Sequence, residues 1–487
     1  MKKFNFSQVN YPLLIIILVY CTFFCLVSLV NHYNFRTYAW DLGINNNALF
    51  DYSHFRWNDN MVMQPQFDNV LSDHFSLIPL LVSPLSWLFG SYTMLLVQIA
   101  GILFGGFGVY RLIKAMTGNE TYSLLAIIHF FSLWGVYSAL SFDYHDNVMA
   151  AMFVPWFILF FREEKWKWAT FYFVLILISK ENMAFWAIFI SIGLLVLHYR
   201  EKTKIKASLL YSATAFAYFV FILKVVIPAL SNENREYLHF HYDALGKTMG
   251  EALQTIFERP RYAFSLLFEN QLKDPLFNGQ KTELHFVILL SGGVALFYKP
   301  QYLLMLIPIF AQKLFSNDPG KWGISSHYSI EFVPIMTIAL FHWIYTMRFN
   351  YKKYLAIGMT VLTIGTTVSF LEYRVALWYQ PEFSAFYQQK HYLTDYDVEK
   401  VYDALEKIPD NAKVSAQGMI VPHMCFRDYI YQWPVVEDAE YVILIPEDKR
   451  RFPLNEKQYK QFLGWYKYSP DWEVFFEDEV VLILKRK

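Results

Sequence analysis

Cysteine is scarce in this sequence. Of the 487 residues three are cysteine: Cys21 and Cys25 lie in the first apolar segment, and Cys425 lies near the C-terminus. Small extracellular domains held by disulfides carry an even set of cysteines at short spacings. The number and spacing of the cysteines in this chain therefore predict no disulfide framework, and the fold must depend on other interactions.

A signal-peptidase cleavage site is also missing. The start, Met1-Lys2-Lys3 followed by apolar Leu13–Leu29, resembles a secretory signal. No Ala-x-Ala-type site follows it, and Asn31-His32-Tyr33 comes instead. We interpret the segment as an uncleaved first membrane helix.

Net charge and nucleotide motifs are absent as well. Lysine plus arginine and aspartate plus glutamate each number 42, so the charge balance gives no indication of nucleic acid as a partner. The sequence has no P-loop, no GxGxxG after a strand, no HExxH and no GxSxG. The short basic loops cannot hold a nucleotide domain, which argues against ATP-driven chemistry inside the cell.

What the sequence does contain is apolar blocks long enough to cross a bilayer. Hydrophobic residues make up 55% of the chain and aromatic residues 20%. The blocks are about 17–25 residues long and carry few charges, which is typical of membrane-spanning helices. The pattern predicts an all-α polytopic membrane protein with about eleven transmembrane helices. The predicted spans are residues 12–30, 91–113, 121–139, 146–161, 167–179, 183–198, 207–228, 283–298, 300–315, 329–347 and 353–371.

The distribution of basic residues predicts the orientation. Alternate short connections hold most of the lysine and arginine, whereas the loop at Asp143 has none and the loop at Lys180 has one. Basic short loops face the cytoplasm. The basic set is Lys2, Lys3, Arg111, Lys114, Arg162, Lys165, Lys167, Arg200, Lys202, Lys204, Lys206, Lys299, Arg348, Lys352 and Lys353. We therefore expect a cytoplasmic N-terminus and an extracytoplasmic C-terminal domain in the cytoplasmic (inner) membrane.

Three outer segments are longer than simple turns. Residues 31–90 form a first outer loop, in which the apolar piece 75–89 contains Pro79 and Pro84 and suits an interfacial or re-entrant helix. Residues 229–282 form a long outer loop with a helical pattern. Residues 316–328 form a polar loop with turn signals. Together with the spans, these loops make residues 1–371 one multi-pass domain.

Residues 372–487 have the composition of a soluble α/β domain. Asp397–Lys407 and Glu456–Tyr466 have helical patterns. Strand-like runs occur at residues 413–416, 428–431 and 441–445, and the chain closes with a hairpin pattern at 472–476 and 480–484. We expect this domain to lie outside the membrane.

Asp41, in Tyr38-Ala39-Trp40-Asp41-Leu42-Gly43, is the first candidate for chemistry. A carboxylate at the membrane surface beside Trp40 is partly desolvated and can act as a general base or bind a cation. The alternative is an exposed loop aspartate, or the cap of a helix from Ile44.

Two further loops carry candidate residues. Asp143 and His145 flank Tyr144, and this acid–x–His spacing suits metal binding or proton transfer; interface-level polar residues wetted by headgroups are the alternative. Lys180 and Glu181 interrupt an apolar run. They suit a lysine on a phosphate and a glutamate on a sugar or cation, or else an ion pair at a turn.

Asp73, His74 and His327 precede apolar segments, where a single polar group is often structural. The five polar sites are nevertheless expected on one membrane face. We therefore predict that the loops at Asp41, Asp143 and Lys180 build one polar site at the outer rim of the helices.

The sequence resembles the prokaryotic multi-pass family known as domain of unknown function 2079 (DUF2079). The ordered set of short motifs covers nearly the whole chain. The matching motifs are Trp40-Asp41-Leu42-Gly43-Ile44, Asp73-His74-Phe75-Ser76, Pro79 and Pro84, Phe142-Asp143-Tyr144-His145, Ser179-Lys180-Glu181, His327-Tyr328-Ser329, Pro409-Asp410-Asn411-Ala412-Lys413-Val414, and Pro422-His423-Met424 to Arg427.

That family is similar to the GT-C glycosyltransferases, which implies hexosyl or pentosyl transfer from a polyprenyl-phosphate sugar. By position Asp41 carries the catalytic role, although Asp-Leu-Gly departs from the paired acids usual in GT-C enzymes. Asp73, His74, Asp143, His145, Lys180, Glu181 and His327 are the expected substrate-binding residues. Asp41, Asp143 and His145 are the expected ligands of a divalent cation, Mg or Mn. Expected partners are membrane lipids, the lipid-linked donor and a glycan, lipid or protein acceptor, and no nucleic acid.

Two other classes of function compete with this hypothesis. A transporter or lipid flippase needs ionisable groups and broken helices at the midplane of the membrane. The polar groups here gather at one rim instead. A non-catalytic membrane scaffold that binds a partner through its tail domain is the third hypothesis.

Overall fold

A computed structural model describes residues 10–62, 68–231, 239–376 and 380–487. The predicted cytoplasmic residues Lys2 and Lys3 lie outside the described residues, as do short parts of the two long outer loops and of the segment after residue 376. The described chain is mostly helical, with a small sheet near the C-terminus.

In its described residues, the first half of the chain contains helices and one two-residue strand pair. That pair joins β1 (Asp59–Asn60) to β2 (Asp68–Asn69). The helices are α1 (Tyr11–Tyr33), α2 (Ile44–Ser53), α3 (Val70–Asp73), α4 (Ile78–Val82), α5 (Ser86–Phe89), α6 (Thr93–Thr117), α7 (Glu120–Ser132), α8 (Trp134–Leu140), α9 (Asp146–Arg162), α10 (Trp166–Ser179), α11 (Glu181–Leu197), α12 (Lys202–Phe221) and α13 (Ile227–Leu230).

Helices continue through residue 372, and the strands of the tail follow. The helices are α14 (Met249–Glu258), α15 (Pro260–Ser265), α16 (Gln280–Ile288), α17 (Ala295–Tyr298), α18 (Pro300–Leu314), α19 (Phe332–Thr346), α20 (Lys352–Glu372), α21 (Val398–Leu405), α22 (Val421–Met424) and α23 (Glu456–Tyr468). The strands are β3 (Val414–Ala416), β4 (Ile430–Gln432), β5 (Tyr441–Leu444), β6 (Trp472–Glu477) and β7 (Leu482–Arg486).

Five helical segments among the described residues are long and apolar enough to cross a membrane. They are Tyr11–Tyr33, Ile78–Thr117, Lys202–Leu230, His327–Thr346 and Lys352–Glu372. A sixth is possible by length if α7 and α8, which are bent by 45°, form one span. Helices occur at each of the eleven predicted spans, but several are too short by this measure. Eleven crossings therefore stay a prediction.

The chain divides into two compact units. The first comprises Met1–Val27, Gln98–Val226 and Glu236–Ala385, and the second comprises Ser28–Val97, Ile227–Arg235 and Phe386–Lys487. The expected division at residue 371 stays a prediction. In the structure, the unit that contains the sheet, with its segment Ser28–Val97, also spans the whole predicted first outer loop, residues 31–90.

The first unit is a bundle of helices packed at short distances. Three glycines of α6 face large side chains of α9; an added Cβ at Gly105, for example, would lie 2.6 Å from the sulfur of Met152. Helix α10 packs along α9, and α11 packs between α12 and α18. Close backbone approach through small residues is typical of membrane helices.

The second unit contains a five-stranded mixed sheet in the order β4-β3-β5-β7-β6. Strand β3 is parallel to β4 and β5, whereas β7 is antiparallel to β5 and β6. The predicted tail helices and strands are thus confirmed. Strands β3 and β5 are fully buried, and β5 is a short apolar run, which is usual for strands covered on both faces.

Residues of the first loop complete the core of this unit. Phe35, Ala39 and Ile44 belong to the same buried cluster as Val401 and Ile420 of the tail. Burying such side chains contributes about 1.5–3 kcal/mol each for the larger ones. The sheet and the first loop are therefore one folded body.

Candidate functional site

A pocket lies in the first unit where three long helices begin. Asn147 is in the first turn of α9, Lys180 and Asn182 are at the start of α11, and Glu331 directly precedes α19. All four side chains line the pocket, which is small and partly open to solvent. The free N–H groups and the dipole of a helix N-terminus favour anions. Three such ends at one pocket make it electropositive before any side-chain charge is counted.

Three lysines line the same pocket. Lys180 is half-buried in the one-residue break between α10 and α11. Lys313 is buried in the last turn of α18, and Lys321 lies in the following loop. Burial lowers the pKa of Lys321, and the nearby positive charge of Lys180 lowers it further, while Asp318 opposes these effects. Lysines this close repel one another, so an anion between them would be stabilised.

The loop that carries Lys321 is held in place by Lys313. The Lys313 ammonium donates to the carbonyl oxygen of Gly323 at 3.0 Å and to Oγ of Ser329 at 3.3 Å. The indole N–H of Trp322 donates to the carbonyl of Ser316 at 2.7 Å. These bonds satisfy buried groups of the loop and fix it against α18.

A cluster of four aromatic rings lies at one side of the pocket. Phe142 stacks on His145 with ring centroids 5.3 Å apart. His145 stacks on His327 at 3.5 Å, and His327 contacts Tyr328 at 4.0 Å. His327 and Tyr328 line the pocket, and Lys321 lies 5.5 Å above the Tyr328 ring. The ring cluster thus joins the loop before α9 to the loop before α19.

The amide of Gln98 fixes the loop that carries His145. Its Nε2 donates to the carbonyl of Asp143 at 2.7 Å, and its Oε1 accepts from the His145 N–H at 2.9 Å. Gln98 is fully buried in α6. Asp143 has a φ of +54°, a conformation that is strained for a residue other than glycine. The bidentate amide contact stabilises this strained turn.

Glu331 and Asn147 join two of the helix starts. The Asn147 amide donates to Oε1 of Glu331 at 2.7 Å. Both residues are 4% exposed. Within the described part of the chain, Oε2 of Glu331 and Oδ1 of Asn147 have no hydrogen-bond partner. The pocket therefore presents oxygen acceptors as well as lysine donors.

A family model described as "Predicted membrane protein (DUF2079)" matches residues 31–473. The chain belongs to this family. The resemblance read from the short motifs is therefore confirmed, and the chain is a membrane protein with several apolar helices. No curated protein matches it. The similarity to GT-C glycosyltransferases stays a prediction.

The structure brings together part of the predicted site of this DUF2079 protein. Lys180 and His327 line the pocket, and His145 stacks on His327. Asp143 is buried two residues before His145. Glu181 is fully buried beside Lys180 in sequence but is not among the lining residues. The substrate-binding roles of these residues stay predictions.

The remaining predicted residues belong to the second unit. Asp41 is half-buried in a π-helical turn, Ala39–Gly43, and its carbonyl accepts a hydrogen bond from Asn45. Asp73 and His74 are half-buried at the end of α3. Since Asp41 and the pair Asp143 and His145 fall in different units, the three-residue metal site stays a prediction.

Several residues of the pocket were missed by sequence reasoning. Lys313 and Glu331 fall within the predicted spans 300–315 and 329–347, where a lone ionisable residue marks a functional position by default. Applied to the sequence, this rule identifies both Lys313 and Glu331 as candidate functional residues. Asn147 and Gln312 are neutral, and no comparable signal in one sequence distinguishes them from other polar residues near helix ends.

Proposed function

We propose that this protein is a glycosyltransferase of the cytoplasmic membrane whose pocket binds the phosphate of a polyprenyl-phosphate sugar. The observation that carries the proposal is the meeting of Lys180, Lys313 and Lys321 at the N-terminal ends of three helices. Because the pocket belongs to a membrane protein, a lipid-linked phosphate is the substrate class that can reach it from the bilayer.

The chemistry of the pocket suits a phosphate better than a carboxylate. A phosphate monoester or diester offers two or three oxygens in different directions, and lysine ammonium groups bind such oxygens as mobile point charges. Backbone N–H groups at helix starts supply further donors. Three lysines and one carboxyl group, that of Glu331, line the pocket, so basic side chains outnumber acidic ones there.

The location of the pocket favours transfer chemistry over transport. Its lining residues lie at helix ends and in the loop before α19. A transporter would place its ionisable groups where helices break at the middle of the membrane. The distribution of basic loops, which predicts that these ends face outwards, supports action on the outer face of the cytoplasmic membrane.

The proposed reaction is an inverting displacement. The oxygen of an acceptor hydroxyl forms a bond to the anomeric carbon while the bond from that carbon to the phosphate oxygen breaks. The electron pair of the broken bond leaves with the polyprenyl phosphate, whose charge the lysines stabilise. The hydroxyl proton passes to a carboxylate base, for which Asp41 is the residue predicted from the sequence. The products are a glycoside and the lipid phosphate.

The other predicted participants form part of the same proposal. A glycan, a lipid or a protein supplies the acceptor hydroxyl, and the extracytoplasmic sheet-containing unit selects it. Asp143 and His145, which do not line the pocket, orient the sugar or hold a divalent Mg or Mn ion away from the lysines. Glu181 contributes a further polar contact to the substrate, and the substrate contacts of Asp73 and His74 stay predictions from the sequence.

A binding measurement tests the phosphate site. Purified full-length protein in nanodiscs is titrated with a polyprenyl phosphate, and Lys180→Met and Lys321→Met are compared with the wild type. Each variant keeps an apolar stem and loses one charge, so we expect affinity to fall by roughly 10- to 100-fold. Lys206→Met, at an exposed position of α12, is the matched control and should bind like the wild type. Equal affinities in all four proteins would refute the proposal.

An activity measurement tests the base. Asp41→Asn keeps the size of the side chain but cannot take a proton, so sugar transfer from lipid-linked donors should fall by about 100-fold or more. Binding of polyprenyl phosphate should be unchanged. Full activity of this variant would remove Asp41 from the mechanism while leaving the phosphate site intact.

A further inference from the structure

The pocket is also lined by hydrogen-bond acceptor oxygens that accept no hydrogen bond from its lysines. Glu331 and Asn147 are each 4% exposed and form one hydrogen bond with each other, 2.7 Å long. In the described residues, Glu331 has no lysine or arginine within ion-pair distance, although Lys180 and Lys313 interact with it electrostatically. The free oxygens of the pair, Oε2 and Oδ1, are both hydrogen-bond acceptors.

A third acceptor lies across the pocket. Asn182, in the first turn of α11, also lines it, and its Oδ1 has no hydrogen-bond partner among the described residues. Buried polar atoms are rarely left unsatisfied, because removing them from water without a partner is costly. Three such acceptors around one small space indicate that a ligand with several donor groups satisfies them.

Hydroxyl groups are the donors that fit best. A divalent cation would need several carboxylate or carbonyl oxygens and little positive charge nearby. Here one carboxyl group and two amides share the space with three lysines, which would repel a cation. A neutral hydroxyl donates to oxygen acceptors and tolerates the lysines beside it.

We propose that Glu331, Asn147 and Asn182 form a hydroxyl subsite beside the phosphate-binding lysines, so that the pocket selects phosphate esters of a polyhydroxylated group such as a sugar. This inference rests on the proposed phosphate site and specifies the part of the donor that lies next to the phosphate. Glu331 and Asn147 are then specificity-determining residues, because they contact hydroxyl groups and not the phosphate.

The experiment compares three probes on the full-length protein in nanodiscs. Inorganic phosphate and a hexose 1-phosphate compete against a labelled polyprenyl phosphate, and the ratio of their inhibition constants measures hydroxyl recognition. For the wild type we expect the hexose phosphate to bind at least tenfold more tightly. The ratio should fall in Glu331→Gln, whose side chain keeps one acceptor oxygen, and fall further in Glu331→Met, whose side chain keeps none, while Asn147 and Asn182 still accept.

A matched control separates this role from a general effect of a buried acid. Glu283 of α16 is also buried and also has one carboxylate oxygen without a partner among the described residues, but it does not line the pocket. Glu283→Gln should keep the wild-type ratio. Thermal unfolding of every variant in the same nanodiscs shows which proteins are folded.

The outcomes distinguish the two proposals. If the wild type binds polyprenyl phosphate and both competitors equally well, the hydroxyl subsite is refuted and the phosphate site stands. If Glu331→Gln and a folded Asn147→Ser both keep the full ratio, these residues do not recognise hydroxyls. If no phosphate binds at all, the proposed function fails and this inference fails with it.

Discussion

The imidazole rings of His145 and His327 stack with their centroids 3.5 Å apart and their planes inclined by 18°. The two residues are separated by 182 positions, and each belongs to a loop that leads into a long helix, α9 or α19. Phe142 contacts both histidine rings, and Tyr328 contacts His327. One side of the pocket is therefore built by ring contacts between loops that are remote in sequence.

This stack predicts a specific result at His145. Replacing it by alanine removes the ring that supports His327, and aromatic contacts of this kind contribute about 0.5–1.5 kcal/mol. Affinity for polyprenyl phosphate should fall by up to about tenfold, whereas His145→Phe, which keeps a flat ring, should restore most of it. Isothermal titration of both variants provides the measurement. If phenylalanine were as weak as alanine, a ring nitrogen of His145 would be required instead.

Gly135 of α8 is required by the close approach of the segment that begins at His327. An added Cβ would lie 2.6 Å from the carbonyl oxygen of Ser329 and 3.0 Å from a methyl group of Val333. We expect Gly135→Ala to destabilise the protein by about 1–3 kcal/mol, because backbone cannot yield as a flexible side chain can. Thermal unfolding measures this change. Gly358→Ala in α20 is the control. Among the described residues, no atom outside the local helix backbone lies within 4 Å of the added Cβ, so this change should be neutral or slightly stabilising.

Local pattern was sufficient to predict the secondary structure of the tail. Strand β5 is a short apolar run, and α21 carries its buried residues on one face, so each could be predicted from the residues in its own segment. The helices at the predicted spans were visible for the same reason. The number of membrane spans was harder to predict from the sequence. A helix such as α10 is apolar, but its 14 residues are fewer than a bilayer crossing needs.

The pocket and the second unit depend on contacts between remote residues. Lys180 and His327 were recognised as polar residues at helix ends, but their partners Glu331 and Lys313 looked like isolated charges within apolar runs. The buried residues of α2 include Asn46 and Asn47 beside apolar Leu49, which weakens its hydrophobic signal for the core it joins. A single sequence, read by itself, does not indicate which distant segments contact each other.

The ammonium of Lys321 predicts how phosphate binding depends on pH. Its pKa is lowered mainly by burial, so Lys321 loses its proton at a lower pH than a free lysine. A phosphate ester keeps its charge above pH 7, and only the charged lysine attracts it. Affinity should therefore decline as pH rises from 7 towards 10, earlier than for an exposed lysine. Lys321→Arg, which stays charged, should flatten this profile in titrations across that range. An unchanged profile would show that Lys321 does not contact the ligand.

Asn47 of α2 predicts that the first loop stabilises the sheet-containing unit. Its buried amide donates to the carbonyl oxygens of Cys425 at 3.2 Å and Arg427 at 3.3 Å, both just after α22. Asn47→Ala leaves these oxygens without that donor and should destabilise the unit by about 1–3 kcal/mol. Limited proteolysis of the tail under increasing denaturant measures the loss. Asn45→Ala is the matched control, because the Asn45 amide bonds to the carbonyl of Asp41 within its own segment. Equal protease resistance of Asn47→Ala and the control would show that the tail holds its fold without this contact.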